Sequence, residues 1–185
     1  MSSRAPNINR SKVHEDMVQR LAMQKLPGTD RTLFPTIREL LCFAALLGYS
    51  EGRRLPLDKD EGVEDVSYQQ FERGDAEDLI YLIALAETKD PEVLKDGEES
   101  RCAEIFEEYA NGGLQILHEA MLRGGGEYPD RDILELLKER GFLNIEDEEP
   151  GFHWHVSRRD ARGDSWFSEN DPQTVRTSRP SIVTG

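Results

Sequence analysis

Apolar residues recur at helical intervals in five stretches of this chain, and in two of them they cover nearly every face. Ser11 is placed to cap a first helix in which Val13, Met17, Leu21 and then Leu26 repeat, ending at Pro27-Gly28. The second helix is expected to start near Thr32 or Pro35 and to stop at Gly48, with Thr36, Arg38 and Glu39 as its only polar exceptions. Asp75 is read as the cap of the third, whose run Leu79 to Ala86 is again apolar all round. Its first turn holds Glu77 and Asp78, where the helix dipole favours negative charge, and Pro91 ends or restarts it. A fourth helix from about Glu98 sets Cys102, Ile105, Phe106, Tyr109, Leu114, Leu117 and Met121 on one stripe. Asn111-Gly112-Gly113 interrupts it and reads as a kink or a break, because two helical glycines cost about 1 kcal/mol each, which a break or a close backbone contact must offset. Gly124-Gly125-Gly126 is a stop. Asp130 then caps a last helix with Ile133, Leu134, Leu136 and Leu137 inward, closed by Gly141.

The segments between these helices are polar. Met1 to Asn9 is expected to be loose, and Asp58 to Gly74 to be a long acidic loop in which Val66 to Phe71 alternates as a short strand would. Residues 146–185 lack apolar periodicity and open on Glu146-Asp147-Glu148-Glu149-Pro150, a composition that cannot offset the entropy of ordering. The fold class that follows is mainly α: a compact bundle of about five helices with a long acidic loop, room for one short strand pair, and a flexible C-terminal tail. The expected organisation is a flexible N-terminus over 1–10, a single helical domain over 11–145 and a mostly disordered tail over 146–185.

Charge changes this picture by being uneven. The net charge of -14 divides into +4 over residues 1–57, -19 over 58–150 and +1 over 151–185. A polyanion is repelled by the middle of the chain and tolerated by its ends, so uniform nucleic-acid binding is not expected. Seventeen arginines against six lysines leave a second explanation open, adaptation to high salt or plain solubility. Cys42 and Cys102 lie inside apolar helical patterns, as packed free thiols of a reducing cytoplasm do. The longest apolar run, Leu40 to Leu47, is too short to span a bilayer, and no signal-peptide apolar region opens the chain, so a soluble protein is expected.

Several constellations carry candidate chemistry. The first two helices, with Arg10, Lys12, Arg20, Lys25, Arg31 and Arg38, fit a helix-turn-helix or an ordinary helical hairpin. The second helix offers base edges only Thr36, Arg38 and Glu39 before becoming core. Arg53 and Arg54 after Gly52 form a basic tip suited to bidentate grips on phosphate or carboxylate, or to ion pairs with the acidic segment of the same chain. Asp78, Glu87 and Lys89 have the composition of a divalent-metal nuclease site, in a helical context that is wrong for one. His153 and His155 flank Trp154 without a third ligand, and His14 and His118 stand alone. No cofactor and no metal is implied, and no catalytic residue is named.

Three stretches together, Leu33 to Leu57, Asp78 to Pro91 and Ile105 to Leu114, resemble the small Dnd-system-associated proteins of the fourth type over about residues 26–143. These are encoded beside the machinery that places sulfur in the DNA backbone as phosphorothioate. The resemblance implies a cytoplasmic accessory of phosphorothioate-dependent restriction, an antiviral defence, and supplies no catalytic residues. The matching positions Phe34, Pro35, Thr36, Arg38, Glu39, Gly52, Arg53 and Arg54 are the ones expected to make contacts. Thr36, Arg38, Arg53 and Arg54 are the interaction set, meeting a component of a phosphorothioation or restriction complex or double-stranded DNA. Rival readings are a DNA-binding regulator using the N-terminal helical pair and Arg53/Arg54, an acidic DNA mimic restraining a restriction subunit, and a metal-dependent nuclease.

Overall fold

Gly112 and Gly113 do not break their helix. The computed structural model, which describes residues 6–73 and 76–143, carries that helix without interruption from Glu99 to Gly124. In chain order the elements are β1 (Ile8–Ser11), a 3-10 turn at Lys12–His14, α1 (Glu15–Ala22), α2 (Ile37–Ser50), β2 (Val63–Val66), α3 (Gln69–Glu72), α4 (Glu77–Thr88), a second 3-10 turn at Pro91–Leu94, α5 (Glu99–Gly124) and α6 (Pro129–Glu139). At 26 residues α5 is the hub, about 39 Å long. Helices α2, α4 and α6 and strand β1 all lean on it.

The glycines mark the place where α2 crosses α5 at closest approach. A Cβ built on Gly113 would sit 1.8 Å from the Ala44 carbonyl oxygen, one on Gly112 1.8 Å from that of Arg53, and one on Gly48 2.1 Å from that of Tyr109. Backbone meets backbone here, so only glycine fits. The close backbone contact is therefore what offsets the poor helix propensity of two glycines. The same fact corrects the stop expected at Gly48: α2 runs on to Ser50, and the chain turns at Gly52, whose φ of +62° suits glycine. Leu40, Leu41, Ala44, Ala45 and Leu47 of α2 are buried against Phe106, Ala110, Leu114 and Leu117 of α5 in one continuous core.

Other ends follow local chemistry. Thr36 caps α2, its hydroxyl accepting the Glu39 N–H at 3.2 Å. Ser11 caps the 3-10 turn in the same way, accepting from Val13. Helix α1 stops at Ala22, short of Pro27, and the Phe34 N–H donates to the Leu21 carbonyl to strap the following loop back. Pro129 opens α6 with Tyr128 at the cap position expected for Asp130, and Leu134, expected inward, is 40% exposed. The expected cap Asp75 and the segment 146–185 lie outside the described residues.

The acidic loop holds more order than its composition suggests. β1 pairs antiparallel with β2 in the register Ile8 with Val66 and Ser11 with Val63. The last residues of the supposedly loose N-terminus are thus fixed, with Ile8 fully buried. The strand lies upstream of the alternating stretch. Tyr68, at the N-cap, and Phe71, three apart and both buried, are set by the single turn α3 instead. Among the described residues, no helix is long and apolar enough to cross a membrane.

Candidate functional site

The turn after α2 carries Arg53 and Arg54, two of the four residues expected from sequence to make contacts, and the geometry around it is dense. Gly52 donates to the Tyr49 carbonyl and Arg53 to that of Gly48, closing the turn. Beyond it the chain is strapped along α5: the Leu55 N–H donates to Glu108, and the Asn111 amide donates to the carbonyls of Leu55 and Pro56 at 3.2 Å each. Both guanidiniums thereby lie along the surface of α5, each side chain 36% exposed.

Arg53 grips Glu119 with both terminal nitrogens, at 2.9 and 2.7 Å. This hydrogen bonding, with a further bond from Gln115, pulls the Glu119 carboxyl down to about 2. Arg54 donates from Nε to Glu108 at 2.5 Å and from a terminal nitrogen to Glu87 at 2.8 Å. Its guanidinium carbon lies 5.9 Å from the centroid of the Tyr109 ring, whose hydroxyl donates to the other Glu87 oxygen at 2.5 Å. That hydroxyl bond, then Arg54, holds Glu87 below the usual carboxylate range, while burial and the same bond push Tyr109 up to about 12. Tyr49 closes the cluster edge-on against Tyr109. One turn, α4 and α5 are tied at a single point.

The four residues expected from sequence to form an interaction set are not brought together. Thr36 and Arg38 sit at the start of α2, and Arg53 and Arg54 beyond its end, with about 21 Å of helix between. Arg38 is also engaged, donating to the Gln70 carbonyl at 2.8 Å and to Glu39 at 3.3 Å, with its side chain 19% exposed. The helix-turn-helix arrangement does not form. Fourteen residues join α1 to α2 where the motif needs three or four, Arg10 is buried beside Glu15, and Lys25 pairs with Asp30.

Asp78 and Glu87 are nine residues apart on α4, about 13 Å of rise, too far to share one ion. Among the described residues, no three His, Cys, Asp or Glu side chains group as metal ligands. His153, Trp154 and His155 lie outside them. His14 and His118, solitary in sequence, are stacked edge to face with centroids 5.5 Å apart. Nothing in a separation of 104 residues signals that pair. Burial pushes Cys42 up to about 11 and raises Cys102, whose thiol donates to the Val93 carbonyl, which disfavours the thiolate at both the half-buried Cys42 and the buried Cys102.

The arginine pair, left open by the sequence between phosphate or carboxylate grips and ion pairs with the acidic segment, meets Glu87, Glu108 and Glu119 of the same chain. Nothing in the sequence signals a groove of about 490 Å³ beside β1, lined by Glu104 and Glu108 of α5, Lys59 of the acidic loop and Val63 of β2. At its base Glu107 is 9% exposed and accepts both the backbone and amide N–H of Asn9 on one oxygen, with burial raising its pKa. That pair fastens β1 to α5.

Replacing Arg54 with alanine is expected to lower the unfolding free energy by about 1–2 kcal/mol, since the pair is partly exposed while Glu108 loses its donor. Urea denaturation measures this, and Glu87→Gln should cost less because the Tyr109 hydroxyl retains an acceptor. A family model described as DNA sulphur modification system-associated protein 4 matches residues 7–153 of the chain. No curated protein and no solved structure matches it.

Proposed function

Because the chain belongs to the family of DNA sulphur modification system-associated protein 4, we propose that it is an accessory of phosphorothioate-dependent restriction that holds a protein component of that system on its acidic face. The observation that carries this reading is the fate of the arginines. Arg38, Arg53 and Arg54, the cations best suited to phosphate, are each matched by carbonyl or carboxylate groups of the same chain. The acid excess has no such match. Residues 58–150 hold twenty-eight acids against nine bases, and Asp58, Asp60, Glu61, Glu64 and Asp65 are exposed on the loop leading into β2 and on that strand. Lys12 pairs with Glu64, but the surface left there is negative. Such a surface fits a basic protein partner and repels duplex DNA.

The test is recovery of the tagged chain from its native cells at near-physiological salt. A sulphur-modification or restriction component should co-purify, dissociate as salt rises, and be recovered less by a variant carrying Asp58→Asn, Asp60→Asn and Glu61→Gln. Recovery of the chain alone would refute the reading. The exposed acids Asp58, Asp60, Glu61 and Asp65 also favour a narrower version, in which these carboxylates imitate phosphates and occupy the DNA site of a restriction subunit. Duplex DNA would then displace the chain from that subunit, whereas simple docking would be indifferent to it.

A further inference from the structure

Helix α4 turns Ile80, Ile83 and Ala84 into the core, and on its other side Leu82 is left exposed among the described residues while Leu85 is half-buried at the edge of the core. Down the middle of that outer side run Asp78, Leu82, Leu85 and Lys89, at spacings of four, three and four residues. This is the rhythm of a helix-pairing seam. Leu82 is 59% exposed, Asp78 and Lys89 are exposed, and neither charge forms an ion pair among the described residues, although most arginines of the fold do. Packing within the monomer gives no reason for a leucine here. A surface helix normally restricts its apolar residues to the stripe it buries, and in α4 Leu82 lies beyond that stripe beside the half-buried Leu85.

The stripe reads the same from both ends, with an acid at the N-terminal end, a base at the C-terminal end and two leucines between. That symmetry selects an occupant. An identical helix laid antiparallel across α4 sets Asp78 against the partner's Lys89 and Leu82 against the partner's Leu85, and repeats both pairs about the two-fold axis. A parallel copy would oppose like charges. Antiparallel pairing also opposes the helix dipoles favourably.

We propose that α4 is a self-association face through which two copies of this chain form an antiparallel, two-fold dimer. One face of a 12-residue helix is less than a standard interface needs, about 800 Å² per partner. The two-fold dimer therefore extends past α4 onto elements beside it, of which α2 touches α4 and also exposes an apolar residue, Leu46 at 48%. The acidic loop and β2 lie on other elements, so the dimer goes beyond the proposed function and does not depend on it.

The experiment is light scattering coupled to size exclusion on the purified full chain, at about 100 μM, a concentration at which interfaces of modest area associate. The wild type should elute at twice 21.1 kDa. Leu82→Glu should weaken the dimer about 100-fold, giving monomer with unchanged helical circular dichroism, because the side chain is exposed in the folded protomer. Asp78→Lys and Lys89→Asp should each weaken it about tenfold, as two attractive contacts become repulsive, and the two changes combined should restore wild-type association. A monomeric wild type overturns the proposal and leaves the face to a different protein. So does a dimer that Leu82→Glu leaves intact, or a folded double charge variant that stays monomeric. None of these results bears on whether a component of the sulphur-modification system co-purifies, so the two readings fail separately.

Discussion

Gly113→Ala is expected to destabilise the protein by about 3 kcal/mol or more, lowering its thermal midpoint by about 6–12 °C, even though alanine is the better helix former by about 1 kcal/mol. The new methyl would need to sit 1.8 Å from the Ala44 carbonyl oxygen and 2.8 Å from its Cα. Those atoms belong to the backbone of α2, so no rotamer change relieves the contact and shortening the Ala44 side chain would not help. The two helices must move apart, and the contacts of Leu40, Leu41, Leu114 and Leu117 along the same seam loosen with them. Urea denaturation of the alanine variant decides the point. A variant as stable as the wild type would mean that the crossing is not held at this distance. Gly112→Ala tests the same crossing from the next position, where the atom met is the Arg53 carbonyl oxygen at 1.8 Å, so it should also disturb the arginine turn.

Acidification is expected to remove about 3 kcal/mol between pH 6.5 and pH 4, and His14 is the reason. Its side chain is 4% exposed, its Nδ1 has no hydrogen-bond partner, and its ring packs on that of His118. A proton placed there is desolvated and faces a second imidazole, so the folded-state pKa falls from 6.5 to about 4. Between those values the unfolded chain binds the proton and the folded chain does not. The stabilisation is therefore complete above about pH 6.5 and is lost as pH falls toward 4. Glu87 and Glu119, held low by Tyr109 and by Arg53, add their losses at more acid pH, and the raised pKa of Glu107 works in the opposite sense. His14→Leu should flatten the pH dependence of the urea midpoint between 6.5 and 4 while leaving the steeper acid limb. An unchanged slope in that variant would assign the loss to other groups.

The helices were legible where a periodic stripe met a cap. Pro91 and the glycines at 124–126 fall where the pattern puts them, because capping and chain reversal are decided within a few residues, whereas α2, expected to start near Thr32 or Pro35, begins at Ile37 with Thr36 as its cap. Gly48, Gly112 and Gly113 were misread as stops or breaks for the opposite reason. What permits them is the backbone of another helix some sixty residues away, which no local window contains. β1 was hidden by its composition: Ile8-Asn9-Arg10-Ser11 offers one apolar residue, and its place in the sheet is set by Val66 and by the bonds from Asn9 to Glu107. For the candidate site, Arg53 and Arg54 were visible as a basic tip with ion pairing to the acidic segment left open. The identity of their partners was not, since Glu87, Glu108 and Glu119 look like any other surface acids until α4 and α5 are placed side by side. The α4 stripe is the reverse case. Asp78, Leu82, Leu85 and Lys89 could be spaced from sequence alone, but only the fold tells which side of an all-apolar helix is left over.

The late position of α5 in the chain has a consequence during synthesis. The two greasiest segments leave the ribosome well before the helix on which they lie. At translation speeds of about 5–20 residues per second, α2 waits about 4–15 s for residue 124 to be made. For that interval the nascent chain offers uncovered leucines to whatever is nearby. Expression yield should therefore respond more to chaperone supply and growth temperature than the stability of the finished molecule would suggest.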